Sequence, residues 1–69
     1  MNANWWFEVV GEDSELCGEE FFVQVKRVPG DNGKAEALLI AEDNFPGEEL
    51  RCLGWVTDET AEDIGLDTY

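Results

Sequence analysis

Pro46-Gly47 is the dipeptide that most limits how this chain can fold. Proline cannot continue a helical hydrogen-bond ladder, and glycine takes φ > 0 readily, so the pair ends whatever element precedes it. Ahead of it, Ala35, Glu36, Ala37, Leu38 and Leu39 are strong helix formers with no β-branching among them. Ala37, Leu38, Ala41 and Phe45 share one stripe of such a helix, and Leu39 and Ile40 widen the stripe beyond one face. Behind it, Glu49 to Val56 is an apolar-rich run with strand character. A helix followed by a strand cannot bury its apolar side alone, so the rest of the chain must supply the partner.

Asn4 to Val10 has the aromatic and β-branched content of a strand. Alternation puts Trp5, Phe7 and Val9 on one face and Trp6, Glu8 and Val10 on the other. Gly11 to Glu19 is a polar loop, longer than hairpin loops usually are, a length that suits a functional or a mobile segment. Glu20 to Val28 is a second strand, with Phe21, Val23 and Val25 opposed to Phe22, Gln24 and Lys26; it should pair antiparallel with the first. At the following turn the reading forks. Asp31-Asn32-Gly33 could close a hairpin into a strand over residues 34–43. Alternatively, Asp31 or Asn32 caps a helix through its side-chain oxygen, which the helix formers that follow favour.

In the third strand, alternation groups Leu50, Cys52, Gly54 and Val56 against Arg51, Leu53 and Trp55. Thr57 to Gly65 then reads as a short helix: Thr57 is a good N-cap, Asp58 and Glu59 suit the positive end of the dipole, and Gly65 stops it. Leu66 to Tyr69 is a tail with two apolar side chains to dock. The order is β-β-α-β-α. The expected fold is a small two-layer α+β domain over residues 1–69, a three-stranded sheet with one main helix across it and a short C-terminal helix. A right-handed crossover would set the third strand parallel to the second. A chain of 69 residues buries only about 60% of its extended surface, so the core is thin.

Charge narrows the function. Seventeen Asp and Glu face four Lys and Arg, with no histidine, for a net charge of −13. Direct binding to nucleic acid or an anionic membrane is disfavoured, and the partners expected are basic proteins, or none. At 12% aromatic residues the chain is nonetheless a folding one, because disordered acidic chains are poor in aromatics. A compact domain of this length has a radius of gyration of roughly 11 Å and a diameter near ~28 Å. Duplex DNA of that length carries about 16 charges, the same order as the protein.

Catalysis has little to work with. Histidine, a serine nucleophile motif and a phosphate-binding glycine loop are all missing, so no enzyme and no cofactor are expected. Asp13, Glu15, Cys17 and Gly18 fall short of a calcium loop, with a cysteine at the fifth position and Gln24 where the closing glutamate belongs. Cys17 and Cys52 are too few for a zinc site. With neither an apolar leader nor a run of about 18 apolar residues, the expected place is the cytoplasm, where both thiols stay free rather than bonded to each other.

The run Ala37-Leu38, Ala41, Asn44-Phe45-Pro46-Gly47, then a strand and Thr57-Asp58-Glu59, resembles small α+β proteins of phages and mobile elements. Size and charge are similar to those of the DNA-mimic class of phage anti-defence proteins, including several anti-CRISPR proteins. That class shares no diagnostic motif, so no residue role is carried over. The resemblance implies inhibition by occupying a basic DNA-binding channel.

On that reading the partner-binding residues are Glu36, Glu42, Asp43, Glu48, Glu49, Asp58, Glu59, Glu62 and Asp63. Acidic clusters are usually a solvated face, and a halophilic origin would explain the composition without a partner. Against that stands self-repulsion, which a domain with little stability can ill absorb. A second set is aromatic. Trp5, Trp6, Phe7, Phe21, Phe22, Phe45 and Trp55 exceed what one short helix can cover. Trp6, Phe22 and Trp55 (or Leu53) would lie on the sheet's open face, either under the second helix or the long loop, or as a homodimer or partner interface.

Overall fold

A computed structural model of the chain describes residues 2–26 and 32–69. The elements follow the expected order: β1 (Asn2–Val9), β2 (Glu20–Lys26), α1 (Gly33–Asn44), β3 (Leu50–Val56) and α2 (Asp58–Ile64). Residues 34–43 are helix, and the part of the expected second strand beyond Lys26 lies outside the described residues.

The sheet order is β2-β1-β3, with β1 antiparallel to both neighbours. β3 therefore runs in the same sense as β2, as the crossover argument requires, but with β1 between them. The central strand is the aromatic one. Its residues from Asn4 to Glu8 meet a strand partner on both sides, which suits the segment richest in large apolar side chains.

Phe7 and Val9 of β1, Phe21, Val23 and Val25 of β2, and Ala37 and Ala41 of α1 form the core. The two alanines are fully buried, so the helix axis comes close to the sheet. At its start, a Cβ on Gly33 would lie 3.2 Å from Trp5 Nε1 and 3.4 Å from Val25 Cγ2, a tight approach that favours glycine. The expected stripe holds, with Leu38 and Phe45 packed beside the alanines. Leu39, which widened it, is 69% exposed. For Asn32 the capping expectation is corrected. Asn32 occupies the N-cap but its side chain makes no capping hydrogen bond, and Asp31 lies outside the described residues. At the far end Phe45 is the C-cap, its N–H donating to Ala41 O at 2.9 Å before Pro46-Gly47 turns the chain.

A bulge in β3 overturns simple alternation. Trp6 pairs with Gly54 but Phe7 pairs with Cys52, leaving Leu53 as the extra residue. Such an insertion shifts the side-chain phase by one. Leu50 and Cys52 face α1, while Gly54 and Val56, expected beside them, fall on the other face. Trp55, opposite Trp5, turns to the α1 side. Gly54 has φ +115°, a conformation that only glycine adopts without strain, so this residue permits the bulge.

The C-terminal helix packs on the sheet face opposite α1. Thr57 is its N-cap, accepting from Thr60 N–H at 3.4 Å, and Gly65 is a left-handed C-cap, both as expected. Residues 67–69 then run parallel along the free edge of β2: Phe22 N–H donates to Asp67 O (2.8 Å), Tyr69 N–H to Phe22 O (2.8 Å) and Gln24 N–H to Tyr69 O (3.0 Å). The Tyr69 ring packs edge-on against Phe21 and Phe45, which themselves stack at 4.3 Å.

Candidate acidic binding surface

Eight of the nine acidic candidates separate into two groups. The first gathers where β1 ends and β3 begins. Phe45 stacks on Phe21 at the start of β2, which puts the last turn of α1, with Glu42 and Asp43, at that end. Glu48 and Glu49 follow in the connection to β3, where Val10 N–H donates to Glu49 O at 2.9 Å. The long β1–β2 loop arrives at the same place. Its turns are closed by Ser14 N–H on Gly11 O (3.1 Å), Leu16 N–H on Ser14 Oγ (3.0 Å) and Glu19 N–H on Leu16 O (2.8 Å). The two connections flank a groove of about 330 Å³ lined by Glu12, Asp13, Ser14, Glu48 and Glu49. Glu12 and Asp13, outside the acidic set expected from the sequence, thus join Glu48 and Glu49.

Glu36 stands apart on the first turn of α1, where a carboxylate suits the positive end of the dipole. Glu42 and Asp43 do not: they sit at the negative end of that dipole, in a last turn with no basic residue. Among the described residues one ion pair forms, Arg51 Nε to Glu8 Oε1 at 3.7 Å, and it is exposed enough to contribute little. The first group is therefore solvent-facing negative charge without a local counterion in the form of an ion pair.

The second group lies on α2. Glu59, Glu62 and Asp63 are exposed, but Asp58 has a structural task that the sequence reading missed. Its Oδ1 accepts from Asn4 Nδ2 (2.8 Å) and Gln24 Nε2 (3.0 Å), and its Oδ2 from Asn2 Nδ2 (3.4 Å). Asn4, 1% exposed, also donates to Val56 O at 3.3 Å and accepts from Gln24. The Asn4 amide holds the Asp58 carboxyl below its ordinary pKa, against partial desolvation, with further help from Asn2 and Gln24. Beside this cluster a groove of about 550 Å³ separates α2 from the sheet, floored by Ala61 and Gly65.

The aromatic candidates do not form one open surface. Phe22 is 0% exposed and Trp6, half-buried, packs on it with ring centroids 5.5 Å apart. Both lie on the α2 face, whereas the bulge carries Trp55 to the other side. Cys17 and Cys52 are free thiols, and no group of three or more potential metal ligands occurs among the described residues. No described helix is long and apolar enough to cross a membrane. Comparison with protein-family models, with curated proteins and with solved structures finds no match for this chain.

Proposed function

We propose that this protein acts without catalysis or cofactor, as an acidic inhibitor. It would bind a basic, nucleic-acid-binding surface of a target protein in place of the nucleic acid. The observation that carries this reading is Glu42 and Asp43 at the negative end of α1, joined there by Glu48, Glu49, Glu12 and Asp13. A carboxylate in that position costs about 0.3–1 kcal/mol rather than stabilising the helix. Acidity that served solubility alone could sit anywhere on the surface without that cost. Opposed to Lys and Arg of a target, the same charges give fast, salt-sensitive association. The resemblance in size and charge to DNA-mimic anti-defence proteins of phages makes a bacterial defence complex the target class to test, with the inhibitor in the host cytoplasm.

The alternative is a small homodimerising or interaction domain whose acidity serves solubility. It has less support, because burial of Phe22 and displacement of Trp55 leave Trp6, Phe22 and Trp55 without a common surface.

The test is capture from bacterial lysate by the tagged protein, alongside the Glu42→Lys, Asp43→Lys double variant. The expected result is a nucleic-acid-binding protein that is released by salt, displaced by duplex DNA and not captured by the variant. Capture that is indifferent to salt, to DNA and to the double substitution would overturn the reading.

A further inference from the structure

We propose that α2 and residues 65–69 form a lid that leaves the sheet as a unit, while the three strands and α1 stay folded, and uncovers the Trp6–Phe22 pair. The lid has little apolar hold. A helix of seven residues is not stable by itself, and Ala61 is the one buried residue of α2. Its attachment to the sheet is polar, through the Asp58 carboxylate and the amides of Asn2, Asn4 and Gln24. Behind that clamp the groove of about 550 Å³ leaves the contact loosely filled. The tail adds three backbone hydrogen bonds along β2 and the Tyr69 ring, which is itself 44% exposed.

What lies beneath is of the opposite character. Phe22 is fully buried, Trp6 packs against it with its ring tilted by 55°, and the Trp6 indole N–H is buried without a hydrogen-bond partner. A buried donor left unpaired disfavours the closed state, and opening returns it to water. The α1 face holds an unpaired buried donor too, Trp5 Nε1, but there Ala37 and Ala41 seat the helix among Phe7, Phe21 and Val23, an apolar hold that α2 lacks. Local opening is expected where apolar contacts are few and backbone hydrogen bonds lie at an edge. The lid therefore acts as a conformational device that hides or presents an aromatic surface, whatever the acidic surface binds.

Hydrogen exchange tests this within one strand. Phe22 and Gln24 donate to the tail, whereas the alternate amides of β2 face β1. Residue-resolved exchange should show Phe22, Gln24, Ala61, Gly65 and Tyr69 sharing one rate, at least ~10-fold faster than Phe21, Val23 and Phe45. Asp58→Ala should widen that gap. Lid amides that exchange at the rate of Val23, or each at its own rate, would overturn the proposal. Should Asp58→Ala unfold the whole chain, the unsubstituted protein in low urea serves instead. Urea should then accelerate Val23 strongly and the lid amides weakly, because lid opening exposes little surface. Equal acceleration of both sets would overturn the proposal.

Discussion

Over one face of the sheet, α1 is seated by two buried alanines among phenylalanines and valines; over the other, α2 is held by a carboxylate shared among three amides, with a groove behind it. Apolar seating depends on shape and buried area, and neither salt nor pH changes it much. A polar clamp depends on one ionised group and on donors that water can replace. The difference teaches that this small chain concentrates its stability on one side. The other side is free to respond to conditions.

The largest expected effect tests the α1 side. Phe7→Ala empties the centre of the core and should cost about 3–5 kcal/mol, enough to leave much of this thin domain unfolded in a urea titration. A loss below about 1 kcal/mol would mean that the core is not where stability resides. Next comes the bulge. An alanine Cβ at Gly54 would touch nothing within 4 Å, so Gly54→Ala isolates the backbone cost of φ +115°, about 1–3 kcal/mol by the same titration. No change in midpoint would remove the glycine argument for the phase shift of Trp55.

Thr57→Ala sharpens the comparison from the α2 side. Loss of the cap should cost about 1 kcal/mol, and exchange at Ala61 and Gly65 should register it more fully than global unfolding does. The smallest effect has the opposite sign. Glu42→Lys with Asp43→Lys places cations at the negative end of α1 and should raise stability by about 0.3–1 kcal/mol while abolishing target capture. Greater stability with capture intact would detach the acidic end from function.

Much of this was legible in the sequence, for local reasons. Pro46-Gly47, the Thr57 cap and the Gly65 stop mark element ends by short-range chemistry, and the helix formers after Gly33 decided the fork at residues 34–43. Face assignment in β3 was not legible, because one inserted residue reverses every later position and alternation carries no record of it. The left-handed Gly54 was the only local trace. Asp58 was read as one acidic side chain among many, because its chief partner, Asn4, lies 54 residues away in the chain. A buried asparagine in an otherwise aromatic strand was the clue, since such a residue requires a partner.

The difference between the two faces is tested most directly by an acid titration followed residue by residue. Asp58 has a folded-state pKa below its unfolded value, so its contribution is present above the unfolded value of about 3.9 and is lost as pH falls through the folded one. Glu62 lines the same groove, and Lys26 stands opposite Asn2 in the register. From about pH 6 down to about pH 2, amide resonances of Ala61, Gly65 and Tyr69 should lose their native positions first, while those of Phe7, Val23 and Ala41 hold. A single transition that takes both sets together would contradict the claim that the two faces are closed by different means.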